Sequence, residues 1–292
     1  VFKLWQSRNR LMRAYRANIK QIGFYAALDE KGPYKPWFAA FGALGYWIIG
    51  QFGTKAPRLL SRDKIEKEEP AINTESVAGG IEYRDGILID NDARFVFSFV
   101  RSAIEAGAAA ANYVELVSAE RHGDRWVAHL RDVDTGEEFQ TSARTIVNAA
   151  GPFVDETNRG WGMTTEHRIV YSKGIHLVVP RLTTKHHDKV LAFYDDTERL
   201  FYVIPMGRRS VIGTTDTRVD TPFTEVDEDD IEFLLGQINA RMDLDTPLTE
   251  DDIIARRTGV RPLVVTTTGG DKTDVDWTKL SRKHAVETDH RQ

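Results

Sequence analysis

The sequence predicts a mixed α/β protein whose second half is mostly antiparallel β. Three observations predict it. A helical segment covers 1–77 before the texture changes at residue 78, a helix at 91–107 leads into closely spaced strands, and after residue 165 four strand-like runs follow one another across short polar turns. With 292 residues and 41% hydrophobic content, the chain is long enough for a large core shared between two lobes. A net charge of −5 gives no reason to expect nucleic acid. The absence of cysteine excludes disulfides, thiolate nucleophiles and Cys-based metal or iron–sulfur sites. The chain starts at Val1, shows no signal-peptide pattern and enters a charged helix at once, so a piece of a longer protein is expected.

The first element, VFKLWQSRNRLMRAYRANIKQIGF, places Leu4, Leu11, Met12, Tyr15, Ile19 and Ile22 mostly on one helical face. Lys3, Arg8, Arg10, Arg13, Arg16 and Lys20 all precede the first acid, Asp29, as in a basic amphipathic helix that lies on anionic lipid. A solvated basic face on an ordinary packed helix is the preferred reading of this segment alone. WFAAFGALGYWIIGQFG (37–53) is free of charge but falls at the short edge of the ~17–25 residues a spanning helix needs, and it holds four glycines, so it is not read as transmembrane. It predicts a buried or membrane-dipping helix whose Trp37, Phe38, Tyr46 and Trp47 favour peripheral membrane contact as much as packing. Residues 1–77 thus read as a helical, membrane-associated segment, with Ser61 capping a short helix that ends by Pro70.

AGGIEYRDGILID (78–90) predicts a hairpin turning at Asp85-Gly86, assigned with residue 91 to a substrate domain. NDARFVFSFVRSAIEAG is a helix capped by Asp90 or Asn91, lined by Phe95, Phe99, Ala103 and Ile104, and stopped by Gly107. Strands follow at about 112–120, 125–131, 137–141 and 144–149, with turns at His122-Gly123-Asp124 and Asp134-Thr135-Gly136. The β runs after 165 turn at Asp195-Asp196-Thr197 and Gly207-Arg208-Arg209. TEVDEDDIEFLLGQINARM is a helix with acids at its N-terminus, a second short helix is expected at 249–256, and RRTGVRPLVV is a strand.

The run TIVNAAGPF ends a strand on Ala149-Ala150-Gly151-Pro152, backbone bare enough to approach a ligand or merely to pack a helix. A helix, a strand, a meander and such a return strand match the second half of a two-dinucleotide-type FAD fold, in which the return strand ends against the cofactor. Residues 92–164 are assigned to it, 165–265 to a substrate domain, and 266–292 to a truncated return. The Gly-x-Gly-x-x-Gly of the fold's first half is absent from the sequence, so the FAD fold is incomplete.

Four further groups have the chemistry of a site. Lys173-Gly174-Ile175-His176 puts an imidazole on a strand, where a structural histidine is the commoner reading. Gly213-Thr214-Thr215-Asp216 ends a strand with two hydroxyls and a carboxylate, as a capped strand end also would. Arg261, inside the apolar Thr258-Gly259-Val260-Arg261-Pro262, must meet a carboxylate, phosphate or polarised oxygen. Ser281-Arg282-Lys283-His284 reads otherwise as a solvated basic turn, and His186-His187 as a solvated pair.

NDARF, VSAER, NAAGPFVD, KGIHLVVPRL, IPMGRRSVIGTTD, TGVRPLV and LSRKHAV together resemble the FAD-dependent glycerol-3-phosphate dehydrogenases over residues 78–292, and SRNRLM with the apolar tract resembles them more loosely. Three departures stand out: the Gly-x-Gly-x-x-Gly strand with its His-Gly-Gly-x-Arg segment, the later Gly-Gly-Lys-x-Thr motif, and Ile175 where serine is usual. An internal fragment is expected. The resemblance implies a substrate domain of the D-amino-acid-oxidase-like kind, FAD as cofactor, glycerol 3-phosphate as substrate, quinone as electron acceptor, and a peripheral place on the cytoplasmic face of the inner membrane, with a homo-oligomer left open. It implies His176 as base and Arg261 as the cation at the substrate oxygen. Arg282 joined by Lys173 would hold the phosphate, and Thr214 or Thr215 would donate a hydrogen bond. Ala149, Ala150 and Gly151 would lie against FAD, with Leu116 and Val117 at its adenine end. The rivals are a flavin-dependent amino-acid or hydroxy-acid oxidase on the same fold, and a non-catalytic fragment.

Overall fold

The computed structural model describes residues 2–183, 189–195, 198–266 and 285–288. Arg282, His186-His187 and part of the turn at Asp195-Asp196-Thr197 lie outside the described residues. The chain divides into a sheet unit (Val1–Phe99, Ile175–Thr215, Glu225–Thr258) and a meander unit (Val100–Gly174, Asp216–Thr224, Gly259–Gln292).

The sheet unit starts with α1 (Phe2–Ala14), β1 (Ile19–Asp29), α2 (Pro36–Ile49), β2 (Arg58–Leu60), α3 (Arg62–Glu68) and β3 (Val77–Leu88). Ser61 caps α3, its hydroxyl accepting from Lys64 N–H at 3.3 Å, which closes one orphan donor of the first turn. Next in the chain come α4 (Asp92–Glu105), β4 (Val114–His122), β5 (Arg125–Asp132), β6 (Glu138–Ala143), α5 (Val154–Gly160) and β7 (His167–Pro180). They are followed by β8 (Lys189–Tyr194), β9 (Leu200–Met206), β10 (Arg209–Gly213), β11 (Thr217–Val219), α6 (Glu228–Arg241) and β12 (Ala255–Thr266). In the sheet unit the strand order is β7-β10-β9-β8-β1-β3-β2, all antiparallel except β1 with β8.

Period-two alternation gives this sheet two apolar faces. On one, Tyr25, Leu177, Leu191, Val203 and Ile212 pack with Ile65 of α3 and Ile231, Leu234 and Ile238 of α6. On the other, Ala26, Ile81 and Ala192 pack with Ala43 of α2. α6 starts where predicted because Asp227 and Asp230 form a reciprocal capping box, with Asp230 N–H donating to Asp227 at 2.9 Å.

Four expectations are corrected. The N-terminal helix stops at Ala14, and Ile19–Asp29 is a strand: flanked by β3 and β8, it is buried on both faces and so carries a near-continuous apolar run instead of alternation. The hairpin at Asp85-Gly86 is one unbroken strand, β3, paired with β1 from Leu88↔Ile19 to Val77↔Asp29. Asp85 serves side chains there, accepting from Tyr46 Oη and from Arg8 Nη1. The helix at 249–256 is a single 3-10 turn, Glu250–Asp252, because Asp252 folds back onto Thr249 N–H at 2.8 Å and Ile254 N–H already donates to Val178 O. Finally, 144–149 is no strand: no strand among the described residues pairs with it, and an extended run without a partner makes no ladder.

In the meander unit, β4-β5-β6 form a three-stranded antiparallel sheet whose turns use the predicted Gly123 and Gly136. β11 pairs with the first half of β7, Thr217 opposite Lys173.

Candidate functional site

In the meander unit, the NAAGPF turn is held by its own asparagine. Asn148 Nδ2 donates to Val154 O (3.0 Å) and Asn158 Oδ1 (2.7 Å), while its Oδ1 accepts from Ala150 N–H (3.1 Å). Gly151 opens the turn with φ 56°, and Pro152 lies in the 3-10 turn Gly151–Phe153 that feeds α5. Two bonds tie this assembly to β7: Tyr171 Oη donates to Pro152 O (3.1 Å), and Ile169 N–H donates to Asp155 Oδ2 (2.8 Å). Ala149 is left exposed, with Ala150 and Gly151 half-buried, so bare backbone faces outward on a fixed support.

The same strand supplies Ser172 and Gly174 to a second group, completed by Asp216 and by Arg261 of β12. Ser172 Oγ donates to Asp216 Oδ1, and Arg261 Nη1 meets that oxygen at 3.4 Å. Of the carboxylate, phosphate or polarised oxygen expected to meet Arg261, the structure supplies a carboxylate, Asp216. A Cβ on Gly174 would fall inside the Arg261 guanidinium, which explains the glycine: only bare backbone lets the planar cation lie against the strand. By alternation Lys173 starts from the opposite face of β7 from Ser172 and Gly174, and it is buried.

In the sheet unit, His176 is opposite Gly213 in the β7–β10 ladder. Gly213 has φ 142°, and a Cβ there would come within 2.9 Å of the His176 ring, so glycine admits the imidazole. The two threonines brace this strand end: Thr215 Oγ1 accepts from Ile175 N–H (3.2 Å), and Thr214 Oγ1 donates to Thr215 O (3.0 Å). That matches the capped strand end weighed for Gly213-Thr214-Thr215-Asp216. Elsewhere in the meander unit, Leu116 and Val117 are on β4, where a bulge leaves Val117 without a paired residue and half-exposed.

A family model described as FAD dependent oxidoreductase matches residues 6–275. The chain belongs to the FAD-dependent oxidoreductase family. It is similar to glycerol-3-phosphate dehydrogenase 2 of Mycobacterium tuberculosis, at 32% identity over 275 residues, covering 92% of this chain and 44% of that protein. The mitochondrial glycerol-3-phosphate dehydrogenase of Macaca fascicularis is 30% identical over 93% of this chain and 38% of its own length. The chain therefore spans about two fifths of the length of these relatives. Its fold is like that of the FAD-complexed glycerol-3-phosphate dehydrogenase of Bacillus halodurans (TM-score 0.73, 23% identity, 89% of this chain and 47% of that one). It is also like glycine oxidase of Geobacillus kaustophilus (TM-score 0.63, 18% identity, 90% and 67%).

FAD is the cofactor of this flavoprotein family. The meander unit leaves room for it: Ala149 is exposed with nothing beyond its Cβ, and a Cβ on Gly151 would meet nothing within 4 Å. The bulge at Val117 likewise frees backbone groups from the β4–β5 ladder. Asn148, Asp155, Tyr171 and Ser172, which fix these pieces, were not singled out from the sequence. A signal existed only for Asn148, as an Asn two residues before a small-residue turn.

Proposed function

We propose that the flavoprotein oxidises sn-glycerol 3-phosphate to dihydroxyacetone phosphate and passes the electrons to membrane quinone. The observation that carries this reading is the Arg261 guanidinium held against bare Gly174, on the strand that also anchors the NAAGPF turn. A cation fixed in this way stabilises an oxyanion with little reorganisation. His176 takes the proton of the C2 hydroxyl as the C2 hydride departs and the carbonyl forms, the role that suits a neutral imidazole. FAD, when bound, supplies the two-electron acceptor for that hydride. Arg261 and Arg282 are assigned the anionic oxygens of substrate, and Thr214 or Thr215 an additional hydrogen bond. Similarity to both dehydrogenases of this substrate and a glycine oxidase keeps an amino-acid substrate as the second reading.

The test is anaerobic flavin reduction in the FAD-loaded protein, with glycerol 3-phosphate, lactate and glycine in parallel. Bleaching by glycerol 3-phosphate alone is expected, and bleaching only by glycine would replace the proposal with the second reading.

We also propose a peripheral place on the cytoplasmic face of the inner membrane. α2 turns Ala39, Ala40 and Ala43 to the sheet and Trp37, Phe38 and Phe41 outward, with Trp37 64% and Phe41 73% exposed, while Tyr46 is taken up by Asp85 of β3. Among the described residues no helix is long and apolar enough to cross a membrane. Flotation with anionic vesicles at low salt is expected, and Phe41→Ser combined with Trp37→Ser should abolish it. A protein that stays wholly soluble would reduce α2 to a packing element.

A further inference from the structure

We propose that Asp216 and Ser172 are positioning residues that set the plane and place of the Arg261 guanidinium. This rests on the function proposed above and adds residues to which it assigns no role of this kind. Four observations within the meander unit carry it. Ser172 is fully buried, so its hydroxyl cannot exchange its partner for bulk water, and it donates to Asp216 Oδ1. That bond stops the carboxylate from rotating about its χ2 torsion, which is otherwise broad. The same Oδ1 takes Arg261 Nη1 at 3.4 Å, so one locked oxygen fixes one end of the guanidinium fork. Gly174 removes the side chain that would push the planar group off the strand.

Neither Asp216 nor Ser172 needs to touch substrate for this to matter. An arginine on a long stem loses side-chain entropy when it is ordered, and a cation that must find its place during the reaction stabilises charge less than one already placed. The carboxylate also offsets part of the arginine charge. Its removal should therefore leave attraction for an anionic substrate intact or stronger while the developing oxyanion loses a preorganised partner. The signature is a fall in kcat without a rise in KM, which loss of a binding group would not give.

The experiment uses the FAD-loaded full chain and compares Asp216→Asn, Ser172→Ala, Arg261→Ala and the double variant Asp216→Asn/Arg261→Ala. Asp216→Asn should slow flavin reduction at saturating glycerol 3-phosphate about 10- to 100-fold, the cost of misplacing a reacting group by about 1 Å. KM should not rise, and flavin content should hold. Ser172→Ala should show the same pattern more weakly, and it carries the test alone if Asp216→Asn does not fold. In the Arg261→Ala background, Asp216→Asn should cost nothing further, because partners acting as a unit are not additive. An equal loss in both backgrounds, or an unchanged rate, overturns the proposal.

A readout independent of substrate separates the two readings. With 15N-labelled arginine, the Arg261 Nη signals should be resolved in the native protein and averaged in Asp216→Asn. Averaged signals in the native protein overturn the positioning role even if glycerol 3-phosphate bleaches the flavin. Resolved signals with no bleaching sustain the positioning role and reject the substrate.

Discussion

The sheet unit and the meander unit are held together by different physics. In the sheet unit, Tyr25, Ile65, Leu177, Ile212, Leu234 and Ile238 are all but sealed from water, and α3 and α6 cover one face of the sheet. In the meander unit, the buried apolar side chains among the described residues are Ala119, Leu263 and Val265, while β6 is exposed throughout and the end of α4 that belongs to it, from Val100 on, buries none of its residues. Its shape rests instead on polar stitches: Asn148 across the turn, Tyr171 and Asp155 between turn and strand, Glu287 at the start of β7. Hydrophobic burial contributes about 1.5–3 kcal/mol per large side chain, and a hydrogen bond about 0.5–1.5 kcal/mol net. The first unit is therefore built for stability. The second is built to hold backbone and charge in place.

The contrast breaks most visibly in the core. Leu234→Ala should lower the stability of the sheet unit by about 2–5 kcal/mol, seen as a drop in urea midpoint with an unchanged slope. Phe139→Ala on exposed β6 should change it by less than about 0.5 kcal/mol. Equal effects would mean that the meander unit has a core of its own strength.

Glycine substitutions come next, and they sharpen the comparison because the obstacle is a functional side chain and not the core. Gly174→Ala must displace the Arg261 guanidinium, with an overpacking cost of about 1–3 kcal/mol and a larger proportional loss of turnover than of flavin content. His176→Ala should lose turnover by about 100-fold or more with FAD retained, the contribution typical of a positioned base. Asn148→Ala should cost about 1–2 kcal/mol locally, since it orphans Ala150 N–H and the Asn158 side chain, and it should show first as weaker FAD retention on dilution.

How legible each unit was follows from the same contrast. The strands β7 to β10, the glycine turns of the meander and the capped α6 were readable because local periodicity and turn chemistry set them. β1 was misread because Ile19 and Ile22 extend the helical spacing of α1, and a strand buried on both faces has no alternation to betray it. Asp85-Gly86 gave a strong local turn signal that a partner strand far earlier in the chain overrode, since β1 pairs straight through it, Ile22 with Asp85 and Gln21 with Gly86. At the candidate site, Gly174, His176, Gly213 and Arg261 could be named from motif and burial arguments. That Gly174 exists for Arg261 could not, because the two are far apart in sequence and only the fold juxtaposes them. The polar stitches were hidden for the same reason: a tyrosine or serine hydroxyl does not announce its acceptor.

The smallest effect expected is a pH effect on the Glu287 stitch. Its carboxylate accepts from Glu166 N–H at 2.9 Å, His167 N–H at 3.1 Å and the His167 ring at 2.7 Å. Burial alone would raise the Glu287 pKa, but the bonds from Glu166 and His167 outweigh it and hold the group below the ordinary glutamate value. A carboxyl group whose folded pKa is depressed contributes stability that is fully present above its unfolded pKa, about 4.3, and is lost as pH falls through the folded value. Amide exchange at Glu166 and His167, corrected for intrinsic rates, should therefore be protected above pH ~4.3 and lose protection below it. In Glu287→Gln that pH dependence should flatten, while protection in β8 to β10 of the sheet unit stays unchanged. Loss of protection in both units together would show that the polar stitch is not local, and that the division between a core-held and a stitch-held unit fails at this strand.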